Sequence, residues 1–169
     1  RPKIYLTNLK GVENKLETRI LGTTEADIRL AAEMIQKGGL VAFPTETVYG
    51  LGADALNAEA VGKVYAAKGR PSDNPMIVHI AQKSDMNKLT DGITPEVERL
   101  MEAFWPGPLT MVVPAKDVIP KVTTGGLATV GVRMPEDAIA RALISAAGVP
   151  IAAPSANLSG KPSPTRYTH

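Results

Sequence analysis

The sequence predicts an α/β or closely mixed α+β fold built on a mixed sheet, and three observations carry that reading. Segments with helical apolar spacing alternate along the chain with short apolar runs of strand length. Two of those runs, "PLTMVVP" (108–114) and "ATVGVRMP" (128–135), are separated by a loop, "AKDVIPKVTTGG", that holds no crossover helix, so the sheet is expected to be mixed. The chain has 169 residues and is 44% hydrophobic, enough for one sizeable core and too little for two comfortable domains. A single domain over 1–169 is therefore expected.

The elements follow from local signals. After a polar leader, Thr24 is placed to cap a helix, with Asp27 at its third position and Ile28, Ala31, Ala32 and Ile35 at helical spacing until Gly38-Gly39 stops it. "LVAFP" (40–44) is short, apolar and closed by proline, and reads as a buried strand. "FPTETVYGLG" (43–52) continues as a strand-to-loop transition in which Gly50 and Gly52 serve a turn or allow close approach to the backbone. "AEAVGKVYAAK" (58–68) has helical composition with Val61, Val64 and Tyr65 on one side, and "MIVHI" (76–80) reads as a strand. Ser84 opens a short helix. "TPEVERLMEAFWPG" (94–107) is a stronger one, with Thr94 as cap, Pro95 at the first helical position and Gly107 past the end. After the strands at 108–114 and 128–135, Pro135 starts a helix that Gly148 ends, and "VPIAAPSAN" (149–157) is a strand running into a Ser/Pro/Gly-rich loop.

Composition excludes several chemistries. Without Cys there is no disulfide framework, thiolate metal site or thiol nucleophile, and a reducing compartment, the cytoplasm, is expected. The only histidines are His79 and His169, which leaves no histidine-rich zinc site and no protein metal cage; a metal should travel with a phosphate ligand. A net charge of +2 permits anionic ligands or RNA without arguing for either, and 4% aromatics weakens a base-stacking platform. No run approaches the roughly 18 apolar residues of a membrane span, and there is no signal-peptide layout. The chain starts at Arg1 and stops in "SPTRYTH", so truncation at the C-terminal end of the domain is expected.

Familiar nucleotide fingerprints are absent: "GLGADA" (50–55) lacks the third glycine of a dinucleotide loop, and "SGKP" (159–162) has proline where a P-loop needs Ser or Thr. Other polar groups are arranged suggestively. On "TVGVRM", Val130, Val132 and Met134 share one face and Thr129, Gly131 and Arg133 the other, which is either a half-solvated strand or a face built to receive a ligand. Ser155 and Asn157 of "APSAN" point the same way if the backbone is extended, or bond their own turn. Thr45 and Thr47 are likewise two apart, and His79 lies opposite Met76, Val78 and Ile80, where a satisfied structural histidine is the simpler reading. In "KGRPSDNP" (68–75), Lys68 and Arg70 suit phosphate oxygens, Arg as a fork and Lys as a point charge. They would equally suit a helix end that sets cations against its dipole.

Lys68-Gly69-Arg70 and Ser155-Ala156-Asn157, with "GGLVAFPTETVYGLGADA", "NPMIVHI", "FWPGPLT", "VGVRMP" and "APSANLSGKPSPT", resemble the YrdC-type threonylcarbamoyl-AMP synthase family from about Thr18 to Thr165. The motifs are weak singly and specific in this order and spacing. The resemblance implies a twisted mixed sheet with flanking helices and a concave, positively charged cavity. It implies synthesis of L-threonylcarbamoyladenylate and pyrophosphate from L-threonine, bicarbonate or CO2, and ATP with Mg²⁺. The product would pass to a transferase that makes N6-threonylcarbamoyladenosine at position 37 of tRNAs reading codons that begin with A.

By position, the resemblance gives Lys68, Arg70 and Ser72 to the ATP phosphates, the two cations also serving catalysis and the carbonate-derived group. It gives Thr129, Asn157, Ser163 and Thr165 to the nucleotide, and Thr45, His79, Arg133 and Ser155 to threonine, with Arg133 on its carboxylate. Two alternatives stand beside it: an RNA-binding module that holds tRNA directly, and a related domain of a carbamoyl-transfer protein of hydrogenase maturation.

Overall fold

The computed structural model describes residues 2–8 and 17–154. Eight strands form one sheet: β1 (Ile4–Asn8), β2 (Glu17–Leu21), β3 (Leu40–Pro44), β4 (Tyr49–Asp54), β5 (Ile77–His79), β6 (Met111–Pro114), β7 (Thr129–Arg133) and β8 (Ile151–Ala152). Their order is β2-β1-β3-β4-β8-β5-β7-β6. The join between β5 and β7 is parallel, pairing Ile77 with Gly131 and His79 with Arg133. All the others are antiparallel, including β6 with β7, as the missing crossover helix requires. The sheet is mixed, as expected.

Four α-helices flank it: α1 (Glu25–Gln36), α2 (Ala58–Lys68), α3 (Pro95–Phe104) and α4 (Ala138–Ala147). Thr24 caps α1 through a reciprocal bond with Asp27, and Thr94 caps α3 with Pro95 at its start, as the sequence predicts. None of the described helices is long and apolar enough to cross a membrane.

Several boundaries differ from expectation. The "polar leader" supplies β1 and β2, because Ile4, Leu6 and Leu21 are enough to bury an edge hairpin whose remaining demand is met by backbone pairing. α4 begins at Ala138 rather than Pro135: Asp137 accepts the N–H groups of Ile139 and Ala140 and so fixes the cap. The short helix is a 3-10 turn over Lys83–Lys88, starting one residue before Ser84, with Asp85 accepting Gln82 N–H. "VPIAAPSAN" contributes only Ile151–Ala152 to the sheet among the described residues.

"FPTETVYGLG" is a hairpin, β3–turn–β4, rather than a strand entering a loop. Gly52 lies inside β4, where an added Cβ would come within 2.6 Å of Ile151 Cγ2 and 2.7 Å of Phe43 Cε1. What approaches these glycines is the core itself.

Helices cover the two faces unequally. On one face α2 and α3 bury Val64, Tyr65 and Met101 against Val78, Val130 and Val132. On the other, α1 and α4 bury Ile35 and Leu143 against Ile4, Val41, Phe43 and Ile151, all at the β1-β3-β4-β8 end of the sheet. On this second face the β5-β7-β6 end carries Ile77, Gly131 and Val112 in one cross-strand row, with Ile77 37% and Val112 69% exposed. Among the described residues, that strip of sheet is open.

His79 sits at the border of the covered and open parts. Its Nδ1–H donates to Ile151 O at 3.3 Å, tying β5 to β8, and its ring meets Phe43 edge-on at 6.3 Å. Burial lowers its pKa from 6.5 to about 4, the carbonyl contacts opposing that shift only in part.

Two outcomes follow. Gly52→Ala should lower stability by about 1–3 kcal/mol in urea unfolding, because Ile151 and Phe43 are fully buried. Gly50→Ala, whose Cβ would find nothing nearer than 3.3 Å, should cost clearly less, and equal effects would contradict this packing. His79 protonates more readily unfolded than folded, so acidification from 6.5 to about 4 removes stability, on the order of 3 kcal/mol in total. Urea midpoints measured across that interval should fall more steeply for the wild type than for His79→Gln.

Candidate functional site

Lys68 is the last residue of α2, and Gly69 closes the helix in the left-handed region at φ 61°. Lys68 shares the buried side of α2 with Val61, Val64 and Tyr65 and is only 3% exposed. Burial lowers its pKa, and the neighbouring Arg70 lowers it further. The solvated helix end that the sequence also allowed is therefore not what forms.

Arg70 is turned onto its own loop. Its Nε–H donates to Asn74 O at 3.2 Å and Nη2–H to Pro75 O at 2.8 Å. Tyr65 Oη shares Asn74 O and also reaches Val122 O, each at 2.9 Å. These bonds stiffen the loop 69–76 where it enters the amino end of β5, and Ser72 lies exposed on it. Arg70 stays partly accessible beside Lys68.

At the carboxyl end of the same strands, Arg133 and His79 are register neighbours. Arg133 is 7% exposed, so a half-solvated strand is not its setting. Its Nε–H donates to Gly107 O at 3.0 Å, and Gly107 N–H donates to Met134 O at 2.9 Å, so the loop after α3 wraps the end of β7. Burial lowers the Arg133 pKa, though a guanidinium keeps its proton. Its charge is met by Glu46, whose carboxylate forms an ion pair with Nη2.

Glu46 is presented by the turn joining β3 to β4. Thr45 builds that turn: its hydroxyl donates to Val48 O at 2.6 Å and accepts the N–H groups of Val48 and Thr47 at 3.2 and 3.3 Å. The bland reading of Thr45, a turn residue, is what its bonds show, and its turn sets Glu46 against Arg133. Sequence reasoning missed Glu46. Its only local signal was a carboxylate between two threonines in a polar turn.

Between the two ends lies the open strip. Thr129 begins β7, half-buried and opposite Pro114, on the same face as Gly131 and Arg133. Four residue steps of strand separate Thr129 from Arg133, roughly 13 Å at the usual rise. Gly131 keeps the strip flat between Ile77 and Val112; a Cβ there would meet Thr110 Cγ2 at 3.2 Å. The fold thus brings Thr45, His79 and Arg133 to one end of β5–β7, and Lys68, Arg70 and Ser72 to the loop feeding the other. Ser155, Asn157, Ser163 and Thr165 lie outside the described residues. No group of three or more His, Asp or Glu that could hold a metal occurs among the described residues.

Arg133 is thus buried at the carboxyl end of β7, and Lys68 is buried at the end of α2, whose following loop leads into the amino end of β5. Comparison with known proteins agrees with this architecture. Residues 33–169 match the family model described as "Telomere recombination", that of the Sua5, YciO and YrdC proteins. The threonylcarbamoyl-AMP synthase of Pyrococcus abyssi is 58% identical over 145 residues, which is 86% of this chain and 43% of that protein. The Bacillus subtilis threonylcarbamoyl-AMP synthase is 55% identical over 150 residues, 88% of this chain and 43% of its own length. The crystal structure of P. abyssi Sua5 complexed with L-threonine superposes with a TM-score of 0.85 at 57% identity, covering 86% of this chain and 42% of that one. The chain spans less than half the length of these relatives. On the family match, the shared fold and this identity, the chain belongs to the Sua5/YciO/YrdC family.

Proposed function

We propose that this chain forms the site of an L-threonylcarbamoyladenylate synthase, joining L-threonine, bicarbonate or CO2, and MgATP into threonylcarbamoyl-AMP and pyrophosphate. The observation that carries the proposal is the pair of buried cations, Lys68 at 3% and Arg133 at 7% exposure, one just before the loop that enters β5 and the other at the carboxyl end of β7. The similarity to curated threonylcarbamoyl-AMP synthases supports the choice of substrates.

In this reading Arg133 takes the threonine carboxylate, with Thr45, His79 and Ser155 around the amino acid. His79 stays neutral above about pH 4 and adds no second positive charge there. Lys68, Arg70 and Ser72 hold the phosphates. The nucleotide lies toward Thr129, with Asn157, Ser163 and Thr165 beside it, over the flat floor of Ile77, Gly131 and Val112.

The substrates supply both nucleophiles, in keeping with a chain that has no Cys. The threonine nitrogen bonds to the carbon of CO2 and loses a proton, giving a carbamate. A carbamate oxygen then bonds to the α-phosphorus as the bond to the β-phosphate oxygen breaks and pyrophosphate leaves. The protein contributes alignment, on the order of 7–11 kcal/mol, and fixed positive charge where negative charge gathers on the phosphates. Mg²⁺, if carried in with ATP, would supply charge screening for the phosphates beside Lys68 and Arg70. The product would be consumed by a transferase acting on tRNA, in the cytoplasm.

The complete protein should release pyrophosphate from ATP only when L-threonine and bicarbonate are both present, and turnover at the same rate without threonine would contradict the proposal. Lys68→Ala should reduce that release by about a hundredfold or more while the protein keeps its circular dichroism spectrum. Wild-type turnover in that variant would show that the phosphates sit elsewhere.

A further inference from the structure

Glu46 has no part in the binding roles above, yet its carboxylate gathers donors from two other elements. Oε1 pairs with Arg133 Nη2 at the end of β7. Oε2 accepts Glu136 N–H at 2.6 Å and Asp137 N–H at 2.9 Å, immediately before α4. The Glu46 side chain is 22% exposed, and the turn that carries it is closed by the Thr45 hydroxyl.

The consequence falls on Arg133. A guanidinium is a rigid plane of donors, and a hydrogen bond at one edge with a charge partner at another restrains its orientation. Nε is held by Gly107 O and Nη2 by Glu46. Among the described residues neither contact uses Nη1. We propose that Glu46 is a positioning residue for substrate binding: it fixes the plane of Arg133 so that the Nη1 edge receives the carboxylate of L-threonine. The inference rests on the functional reading above.

A competing role, in which Glu46 occupies the place of the substrate carboxylate and must leave, fits the contacts less well. Its departure would give up the bonds from Glu136 N–H and Asp137 N–H together with the ion pair.

The test is calorimetric titration of the full-length protein with L-threonine and, separately, with MgATP. Glu46→Gln should bind L-threonine about tenfold or more weakly, the loss of one charge-assisted bond, with MgATP affinity unchanged. Unchanged or tighter threonine binding would overturn the inference, and so would an equal loss for both ligands, the mark of a merely structural role. A wild-type protein that binds no L-threonine would bring down the functional reading, and the inference with it. If Glu46→Gln does not fold, the wild type still decides: NMR of the Arg133 guanidinium should resolve its two Nη groups because rotation is restrained. A single averaged signal would overturn the proposal.

Discussion

The parallel pairing of β5 with β7 is the constraint on which the site depends. Among the described residues it is the one parallel join of the sheet, and it sets the two carboxyl ends side by side, His79 next to Arg133. It also sets the amino ends together, where the loop carrying Arg70 arrives and Thr129 begins its strand. A slip of one residue would send Val132 into the open strip and Arg133 into the apolar cluster beneath α2 and α3. Val78, Val130 and Val132, all buried, hold the register by their preference for that cluster.

The cations differ in exposure and in what steadies them. Arg133 is balanced by a carboxylate from the β3–β4 turn and a carbonyl from the loop after α3. Arg70 is steadied by two carbonyls of its own loop. Lys68 ends α2 on its buried side, and burial lowers its pKa.

Much of this could be read from the sequence. Thr24 and Thr94 announced their helices through local caps, and the alternation of Thr129, Gly131 and Arg133 against Val130 and Val132 gave the two faces of β7. The first two strands escaped notice because an edge hairpin is satisfied mostly by backbone pairing and shows little apolar pattern. Gly50 and Gly52 were seen to allow close approach, but not that Phe43 and Ile151 approach them, since Ile151 is distant in the chain. Glu46 was invisible for the same reason: its partners Arg133, Glu136 and Asp137 come from the far end of the sequence, and only the closed sheet brings them to its turn. Ser155, Asn157, Ser163 and Thr165 stay as the resemblance left them.

In the proposed site threonine binds at the Arg133 end of β7 and the phosphates bind at the Lys68–Arg70 loop that feeds β5. A crystal structure of the full-length protein with MgATP and L-threonine tests it most directly. The account requires the threonine carboxylate on Arg133 and phosphate oxygens on Lys68, with the two ligands lying along β7. Threonine bound away from Arg133, or phosphates that do not contact Lys68, would contradict it.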